Sequence, residues 1–299
     1  MYNIWAMVNK TEIKNQTFDE ERSLYNLKSA KVLDCTFSGP KDGESPLKES
    51  RNIEVRNCNF DLRYSFWHVV NGDIRNCKFS NTARAPFWYC RGIGMKKVES
   101  EAVKVFRECN EITIDDSSFV GEEPFWRCNH LVIRNAKVAG FYAFFQTKDI
   151  EITNLNLTGK YSFQYNVHLR INKSNLDTKD AFWHCRDVVV RDSVIKGEYI
   201  GWYSSFMTFI NCTIESHQPF CYADNIRFIN CKMPNCDLAF EKSSVTGNII
   251  GEIESIKNPK RCNLKVGKVK EVIKDGAINK VEVNIEEGEW ALWRRYLNT

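Results

Sequence analysis

The chain has 299 residues, 43% of them hydrophobic, which is enough apolar material for a long buried core. Its 42 Lys and Arg residues against 38 Asp and Glu residues leave a formal charge of +4, too small to indicate a nucleic-acid partner. No apolar run reaches the roughly 18 residues of a membrane span, and the first ten residues lack the pattern of a secretory signal, so we expect a cytoplasmic protein that binds neither nucleic acid nor membrane.

Residues 1–23 are the first predicted element, an N-terminal cap. Thr17 and Glu20 have the spacing of a capping box, in which two side chains satisfy the backbone at the start of a helix. The segment from Thr17 to Arg22 is therefore predicted to form a short helix or turn. Such a cap would cover the open edge of the strands that follow.

A strand pattern then returns every 19 residues. It is clearest at Ile133–Val138, where apolar and polar residues alternate as in a half-buried strand, and it recurs at Ile114–Phe119, Ile152–Leu157, Ile171–Leu176 and Val190–Ile195. A βαβ unit needs about 30 residues or more, so this period leaves no room for a crossover helix. The sequence predicts an all-β fold, a single right-handed parallel β-helix with regular coils over 24–244 and less regular coils over 245–285.

Two columns of residues repeat with the strands. One holds seven consecutive phenylalanines, which predict an internal ladder of rings because aromatic side chains dominate core energetics: Phe66, Phe87, Phe106, Phe125, Phe144, Phe163 and Phe182. The other holds Asn and Asp, which tolerate the backbone angles of a sharp corner: Asp34, Asn57, Asn76, Asp116, Asn135, Asn154, Asp192, Asn211 and Asn230.

Most of the 12 cysteines occupy repeat-related positions, such as Cys90 and Cys109, exactly one period apart in the sequence. Cysteine is often buried and packs as a small hydrophobe, so we expect reduced structural thiols, as in a cytoplasmic protein. No C-x2-C pair is present, and ligands spread along a ladder do not converge on one ion. We therefore expect no metal site and no cofactor.

The last predicted element is a C-terminal cap over residues 286–299. Glu289–Leu297 is rich in aromatic residues and is expected to form a short helix over the last coil. With this cap set aside, residues 1–285 are predicted to be one β-helix domain.

Several segments of the chain resemble a known family. They are Asn15–Arg22, Arg63–His68, Arg84–Cys90, Gly159–Tyr165, Asp177–His184, Gly197–Tyr203 and Asn235–Glu241. The chain is similar, over roughly residues 14–262, to a bacterial domain-of-unknown-function family with a pectin-lyase-like right-handed parallel β-helix. The resemblance implies this fold and a bacterial, cytoplasmic protein, and it implies no activity.

Three columns near the phenylalanine ladder carry the candidate site residues. The residue after each ladder position is often tryptophan: Trp67, Trp88, Trp126, Trp183 and Trp202. Arg107 and Gln164 share that column, and their polarity predicts that at least part of it is exposed. The next column holds His68, Tyr89, Glu108, Arg127, Tyr165, His184, Tyr203 and Tyr222. Basic residues stand three positions before the ladder: Arg63, Arg84, Lys160 and Lys179.

These columns support three functional hypotheses. The Trp, Tyr and basic residues could bind an extended, acidic glycan, with rings against sugar faces and cations on carboxylates. The same aromatic surface could instead be a homo-oligomer or other protein interface in a structural scaffold. The third hypothesis is a polysaccharide lyase or glycoside hydrolase, with His184, His68, Glu108 and Arg127 as candidate catalytic residues.

Overall fold

A computed structural model describes residues 11–40, 43–275 and 282–288 of the chain. The chain divides into two compact units, Met1–Lys137 and Val138–Thr299, and each is described by itself. The described residues are built from strands and turns. They contain no helix long and apolar enough to cross a membrane.

The first unit consists of short strands that recur along the chain. They are β1 (Thr11–Lys14), β2 (Thr17–Phe18), β3 (Ala30–Leu33), β4 (Thr36–Phe37), β5 (Arg51–Arg56), β6 (Asn59–Phe60), β7 (Val70–Arg75), β8 (Lys78–Phe79), β9 (Phe87–Trp88), β10 (Arg91–Lys96), β11 (Glu99–Ser100), β12 (Phe106–Arg107), β13 (Asn110–Asp115) and β14 (Ser118–Val120). Strand β15 (Asn129–Phe141) contains the boundary between the units.

The second unit has longer strands toward its C-terminal end. They are β16 (Lys148–Lys160), β17 (Val167–Asn172), β18 (Asn175–Lys179), β19 (Arg186–Arg191), β20 (Val194–Lys196), β21 (Ser205–Ile210), β22 (Thr213–Glu215), β23 (Asp224–Cys231), β24 (Ser244–Lys257), β25 (Arg261–Ile273) and β26 (Glu282–Glu287).

Pairing between strands confirms the predicted coil. In the first unit β10 is parallel to β13, with Arg91 opposite Asn110. In the second unit β17 is parallel to β19, with Val167 opposite Arg186. Both registers are 19 residues, and the chain makes about 14 turns of about 19 residues each. The protein is an all-β, parallel β-helix, as the period predicts.

Two coils of the first unit are longer than the rest of its described coils. The partners Lys31 and Glu54 are 23 residues apart, and Val70 and Arg91 are 21 apart. The extra residues fall between a short strand and the following corner, in the segments 38–44 and 80–84, because the pairings on either side keep the ordinary spacing. These two insertions matter for the candidate site.

The predicted phenylalanine ladder lies inside each unit. In the first unit Phe66, Phe87, Phe106 and Phe125 follow one another with ring centroids 4.6, 5.0 and 5.1 Å apart. In the second unit Phe163 lies between Phe144 and Phe182, at 4.9 and 5.0 Å. All seven rings are buried. The 12 cysteines are buried free thiols, as the repeat positions predict.

The ends of the coil differ from the sequence expectation. Thr17–Phe18 is strand β2, paired with Thr36–Phe37, and not the start of a helix. The capping-box prediction is wrong because this pairing continues the ladder of the coil; turns follow at 21–26. Pairing already begins at β1, whose Thr11 lies opposite Ala30. The predicted C-terminal helix Glu289–Leu297 lies outside the described residues.

Candidate functional site

The column that contains His68 and His184 lies at a sharp corner of each coil, and we call it the corner column. Its residues have left-handed backbone, with φ between 51° and 60°: His68, Tyr89, Glu108, Arg127, Gln146, Tyr165, His184, Tyr203 and Tyr222. The backbone N–H of His184 donates to the carbonyl of Trp202 at 2.9 Å, and that of Tyr203 donates to the carbonyl of Cys221 at 3.1 Å. Each corner is thus held by the next coil, with its side chain directed away from the core.

Four rings of the second unit form one continuous stack, the aromatic row: Tyr165, His184, Tyr203 and Tyr222. Successive centroids are 4.8, 5.1 and 5.1 Å apart, and no interplanar angle exceeds 14°. Tyr165 is 45% exposed and Tyr203 is 47% exposed. Because the faces of the inner rings are covered by their neighbours, the row offers solvent its ring edges. Those edges carry phenol hydroxyls and imidazole nitrogens, which are hydrogen-bonding groups.

Two cations lie beside the aromatic row, and the sequence analysis did not select either of them. Lys242 places its Nζ 5.4 Å from the centroid of Tyr222. Arg186 places its Cζ 4.7 Å from the centroid of Phe206, which is 45% exposed. Arg186 could have been found from its position two residues after His184, because alternate residues near a corner share a face. Lys242 is harder to find, since the register changes near residue 245.

The corner column of the first unit is more mixed. His68 stacks on Tyr89 at 5.1 Å. Glu108 follows on the next coil, with its carboxylate 3.6 Å from Nε of Arg107, and Arg127 comes one coil later. The coil of Tyr89 therefore separates His68 from Glu108. This spacing places the predicted histidine and carboxylate on non-adjacent coils.

The tryptophan column ties adjacent coils together. The indole N–H groups of four residues donate to backbone carbonyls at 2.6–3.0 Å: Trp67 to Ala85, Trp88 to Lys104, Trp183 to Tyr199 and Trp202 to Gln218. The four rings are half-buried, and they stack in pairs, Trp67 on Trp88 and Trp183 on Trp202. Trp126 is also half-buried, with the guanidinium of Arg107 5.9 Å from its ring and 5.0 Å from that of Trp88.

Gln164 corrects one inference from the sequence. Its polarity predicted exposure of the tryptophan column, but the residue is only 7% exposed. Its side-chain amide donates to the carbonyl of Asp180 at 3.0 Å, which repeats the bond that a tryptophan makes at this position. The glutamine is polar because it replaces an indole N–H, and the column serves mainly to fasten one coil to the next.

The predicted basic residues fall in two environments. Lys179 lies 2.5 Å from Glu198 and 5.2 Å from the ring centre of Tyr199. The hydrogen bond to Glu198 raises the pKa of Lys179, and the same bond lowers the pKa of Glu198. Lys160 is exposed in the same unit. Arg63 and Arg84 belong to the first unit and line a cavity.

That cavity, which we call the insertion cavity, has a volume of about 690 Å³. Its lining comes from the two insertions and from the coil between them: Ser38, Gly39, Pro40, Asp61, Leu62, Arg63, Ser80, Asn81, Thr82, Arg84 and Val103. The sequence analysis selected only the two arginines. The signal for the rest was the change of period from 19 to 23 and 21 residues, which marks where a loop leaves the coil.

A metal site has little support in the described part of the chain, where no group of three or more His, Cys, Asp or Glu side chains is placed to hold an ion. The histidines there have other partners. Nδ1 of His168 lies 2.9 Å from a carboxylate oxygen of Asp149, and that of His217 lies 2.9 Å from Asp237. These pairs join neighbouring coils.

Comparisons with known proteins complete the description. No curated protein matches the sequence. Among solved structures, the periplasmic alginate epimerase AlgG is 10% identical, with a TM-score of 0.30 over 86% of this chain and 77% of that chain. The A-module of the Azotobacter vinelandii mannuronan C-5 epimerase AlgE4 is 8% identical, with a TM-score of 0.25 over 93% and 87%. The plasmid-mediated fluoroquinolone resistance protein QnrB1 is 12% identical, with a TM-score of 0.20 over 77% and 84%.

These similarities are too distant to carry an activity to this chain. The family comparison is more direct, and it agrees with the resemblance seen in the sequence. The profile described as "Protein of unknown function (DUF3737)" matches residues 11–286, and the chain therefore belongs to this family.

Proposed function

We propose that the protein binds an extended acidic glycan along the aromatic row of the second unit. The observation that carries the proposal is the unbroken stack from Tyr165 to Tyr222, which presents one ring edge per coil at intervals of 4.8–5.1 Å. A pyranose unit in an extended chain advances by a similar distance. One kind of contact can therefore recur from coil to coil as the glycan runs along the row.

The chemistry of the row suits hydroxyl groups more than sugar faces. Stacking already occupies the faces of His184 and Tyr203, so the rings meet a ligand through O–H and ring nitrogen atoms. This differs from the expectation that rings lie flat against sugars. Arg186 and Lys242 stand beside the row and would pair with carboxylates, which favours an acidic polymer over a neutral one.

Isothermal titration calorimetry with polygalacturonate, and with neutral dextran of matched length, tests the proposal. We expect the full chain to bind polygalacturonate and not dextran. Tyr203→Ala should weaken binding about ten-fold or more, because it interrupts the row at an inner ring and about 1.4 kcal/mol corresponds to ten-fold in affinity. Binding should also weaken as salt is added, since exposed charges are screened.

Tyr142→Ala is the matched control. Tyr142 belongs to the same unit, is 37% exposed and stacks on Tyr161 at 4.8 Å, but it lies outside the row. It should keep the affinity of the unmodified chain. Equal losses in both variants, or no binding of the polyanion, would contradict the proposal. A concentration-independent dimer that Tyr203→Ala dissociates would instead assign the row to an interface between two copies.

A further inference from the structure

The insertion cavity is the place where the first unit departs from its own repeat. Its walls are residues 38–40 of the longer insertion and residues 80–82 of the shorter one. The floor is Asp61, Leu62 and Arg63, from the intervening coil of ordinary length. A repeat that lengthens on both sides of one coil, and not at that coil, leaves a recess above it.

The walls are fixed to the coil by hydrogen bonds. The hydroxyl of Thr82 donates to the carbonyl of Asp61 at 2.9 Å, and it lies 2.8 Å from the hydroxyl of Ser80. The backbone N–H of Ser80 donates to the carbonyl of Phe60 at 3.0 Å. The second wall is thus held in place before any ligand arrives, as is usual for small-molecule sites.

The charges of the cavity are arranged with two cations and one anion. Arg63 is positioned by Glu44, with its Nη2 3.2 Å from the carboxylate, and its guanidinium lies 5.5 Å from the ring centre of Tyr64. Arg84 is exposed and also lines the cavity. Asp61 supplies a carboxylate to the same lining. The site therefore favours a ligand with one negative group and with hydroxyls elsewhere.

We infer that the insertion cavity binds a single sugar unit that carries a carboxylate, such as a hexuronate. Guanidinium groups bind carboxylates in a two-bonded geometry, which Arg84 and Arg63 are placed to supply. Asp61, Asn81 and the Ser80 and Thr82 hydroxyls accept or donate hydrogen bonds to sugar hydroxyls. Leu62, Val103 and Pro40 give the apolar surface that a sugar ring also needs. The volume lies within the usual range of about 300–1,000 Å³ for such sites.

Asp61 distinguishes this ligand from a phosphate. A phosphate carries more negative charge and fewer hydroxyls, so the Asp61 carboxylate in the lining would repel it, whereas a sugar acid can donate its hydroxyls to Asp61. All of the lining residues belong to the first unit, and none belongs to the aromatic row. The inference therefore does not depend on the proposed function.

Saturation-transfer NMR and calorimetry with galacturonate, galactose and inorganic phosphate provide the test, with the full chain as the sample. We expect galacturonate to bind, and galactose and phosphate to bind at least about ten-fold more weakly, the change that about 1.4 kcal/mol produces. Arg84→Gln should lose galacturonate by a similar factor. It is preferred to a change at Arg63, whose ion pair with Glu44 also supports the fold.

Arg91→Gln is the control, because Arg91 is an exposed arginine of the same unit that pairs with Glu111 at 2.8 Å and does not line the cavity. It should bind galacturonate normally. Asp61→Asn should narrow the preference for galacturonate over phosphate. Equal binding of galactose, or equal loss in the Arg84 and Arg91 variants, would overturn the inference, as would no binding at all. Tyr203→Ala should leave galacturonate binding intact, so the two proposals can fail separately.

Discussion

The residues of the corner column occupy backbone that side chains other than Gly, Asn and Asp rarely adopt. A left-handed conformation costs roughly 1–2 kcal/mol for an ordinary residue, yet His184 and Tyr203 hold φ values of 55° and 57°. Two contacts offset this cost at each corner. The backbone N–H bonds to the next coil, and the side chain stacks on its neighbours, an interaction of about 0.5–1.5 kcal/mol for a ring pair.

Asp180 is a corner residue with an additional cost. It is buried, and burial raises the pKa of its carboxyl, although Lys179 acts in the opposite direction. Since the folded chain then binds this proton more readily than the unfolded chain, stability falls as pH rises through the interval between the two pKa values. At neutral pH the ionised, buried carboxylate therefore lowers the free energy of unfolding.

Asp180→Asn should raise the free energy of unfolding at pH 7. Asparagine keeps the left-handed backbone of this position, where φ is 55°, and removes the buried charge. The gain should shrink as pH falls toward the ordinary aspartate pKa of about 3.9, because the unmodified carboxyl becomes protonated there. Urea denaturation of both proteins at pH 7 and pH 4 measures the difference. A gain that grows at pH 4 would mean that burial is not the dominant effect.

At the scale of an element, one coil contributes one ring to the internal ladder. Each coil brings a phenylalanine to the same inner position because its corners fix the direction of the strands on either side. Phe163, between two other rings, is fully buried, whereas Phe206 in the same unit is exposed at a corner. The two residues have the same side chain in opposite environments, which makes them a matched pair.

Phe163→Ala should lower the free energy of unfolding by about 3–5 kcal/mol, the usual cost of removing a buried ring. Phe206→Ala should cost less than about 1 kcal/mol, as is typical of a surface position. Denaturant unfolding followed by far-UV circular dichroism gives both values. Similar costs for the two variants would show that the ladder does not contribute the core energy assigned to it here.

At the scale of the whole molecule, periodicity determined which features were predictable. The 19-residue period gave the coil, the phenylalanine ladder and the buried thiols, because each depends only on residues one turn apart. It did not reveal that Gln164 is buried, since the acceptor for its amide, the carbonyl of Asp180, lies 16 residues away and belongs to the next coil. It also did not reveal the insertion cavity, whose lining includes Asp61 and Thr82 in addition to the repeating columns.

The left-handed corners were the other hidden feature. Asn57 and Asp116 signal such backbone by their side chains, but Tyr203 and Arg127 do not, although they have it too. Hydrogen bonds from the next coil impose the conformation there, against local preference. Ring edges in place of ring faces therefore became visible only in three dimensions, and the proposed mode of glycan contact changed with them.

The buried thiols allow a prediction for the chain as a whole. Burial raises the pKa of the Cys185 thiol to about 12, so at neutral pH it stays protonated and unreactive in the folded state. Alkylation by iodoacetamide at pH 7.5 should therefore be slow in native protein and fast for all 12 cysteines in guanidinium chloride. Rapid native modification of Cys185, found by peptide mass spectrometry, would contradict its burial.

Because these sulfur atoms recur from Cys35 to Cys262, nature has left a graduated scale of chemical reporters in the chain. A thiol reacts only when its own turn opens, so the rate of labelling at each one measures how often that turn separates from its neighbours. In a repeat architecture such openings are expected to be local and to spread from one repeat to the next. A single time course of alkylation, read peptide by peptide, would thus give a map of breathing along the chain without any engineered probe.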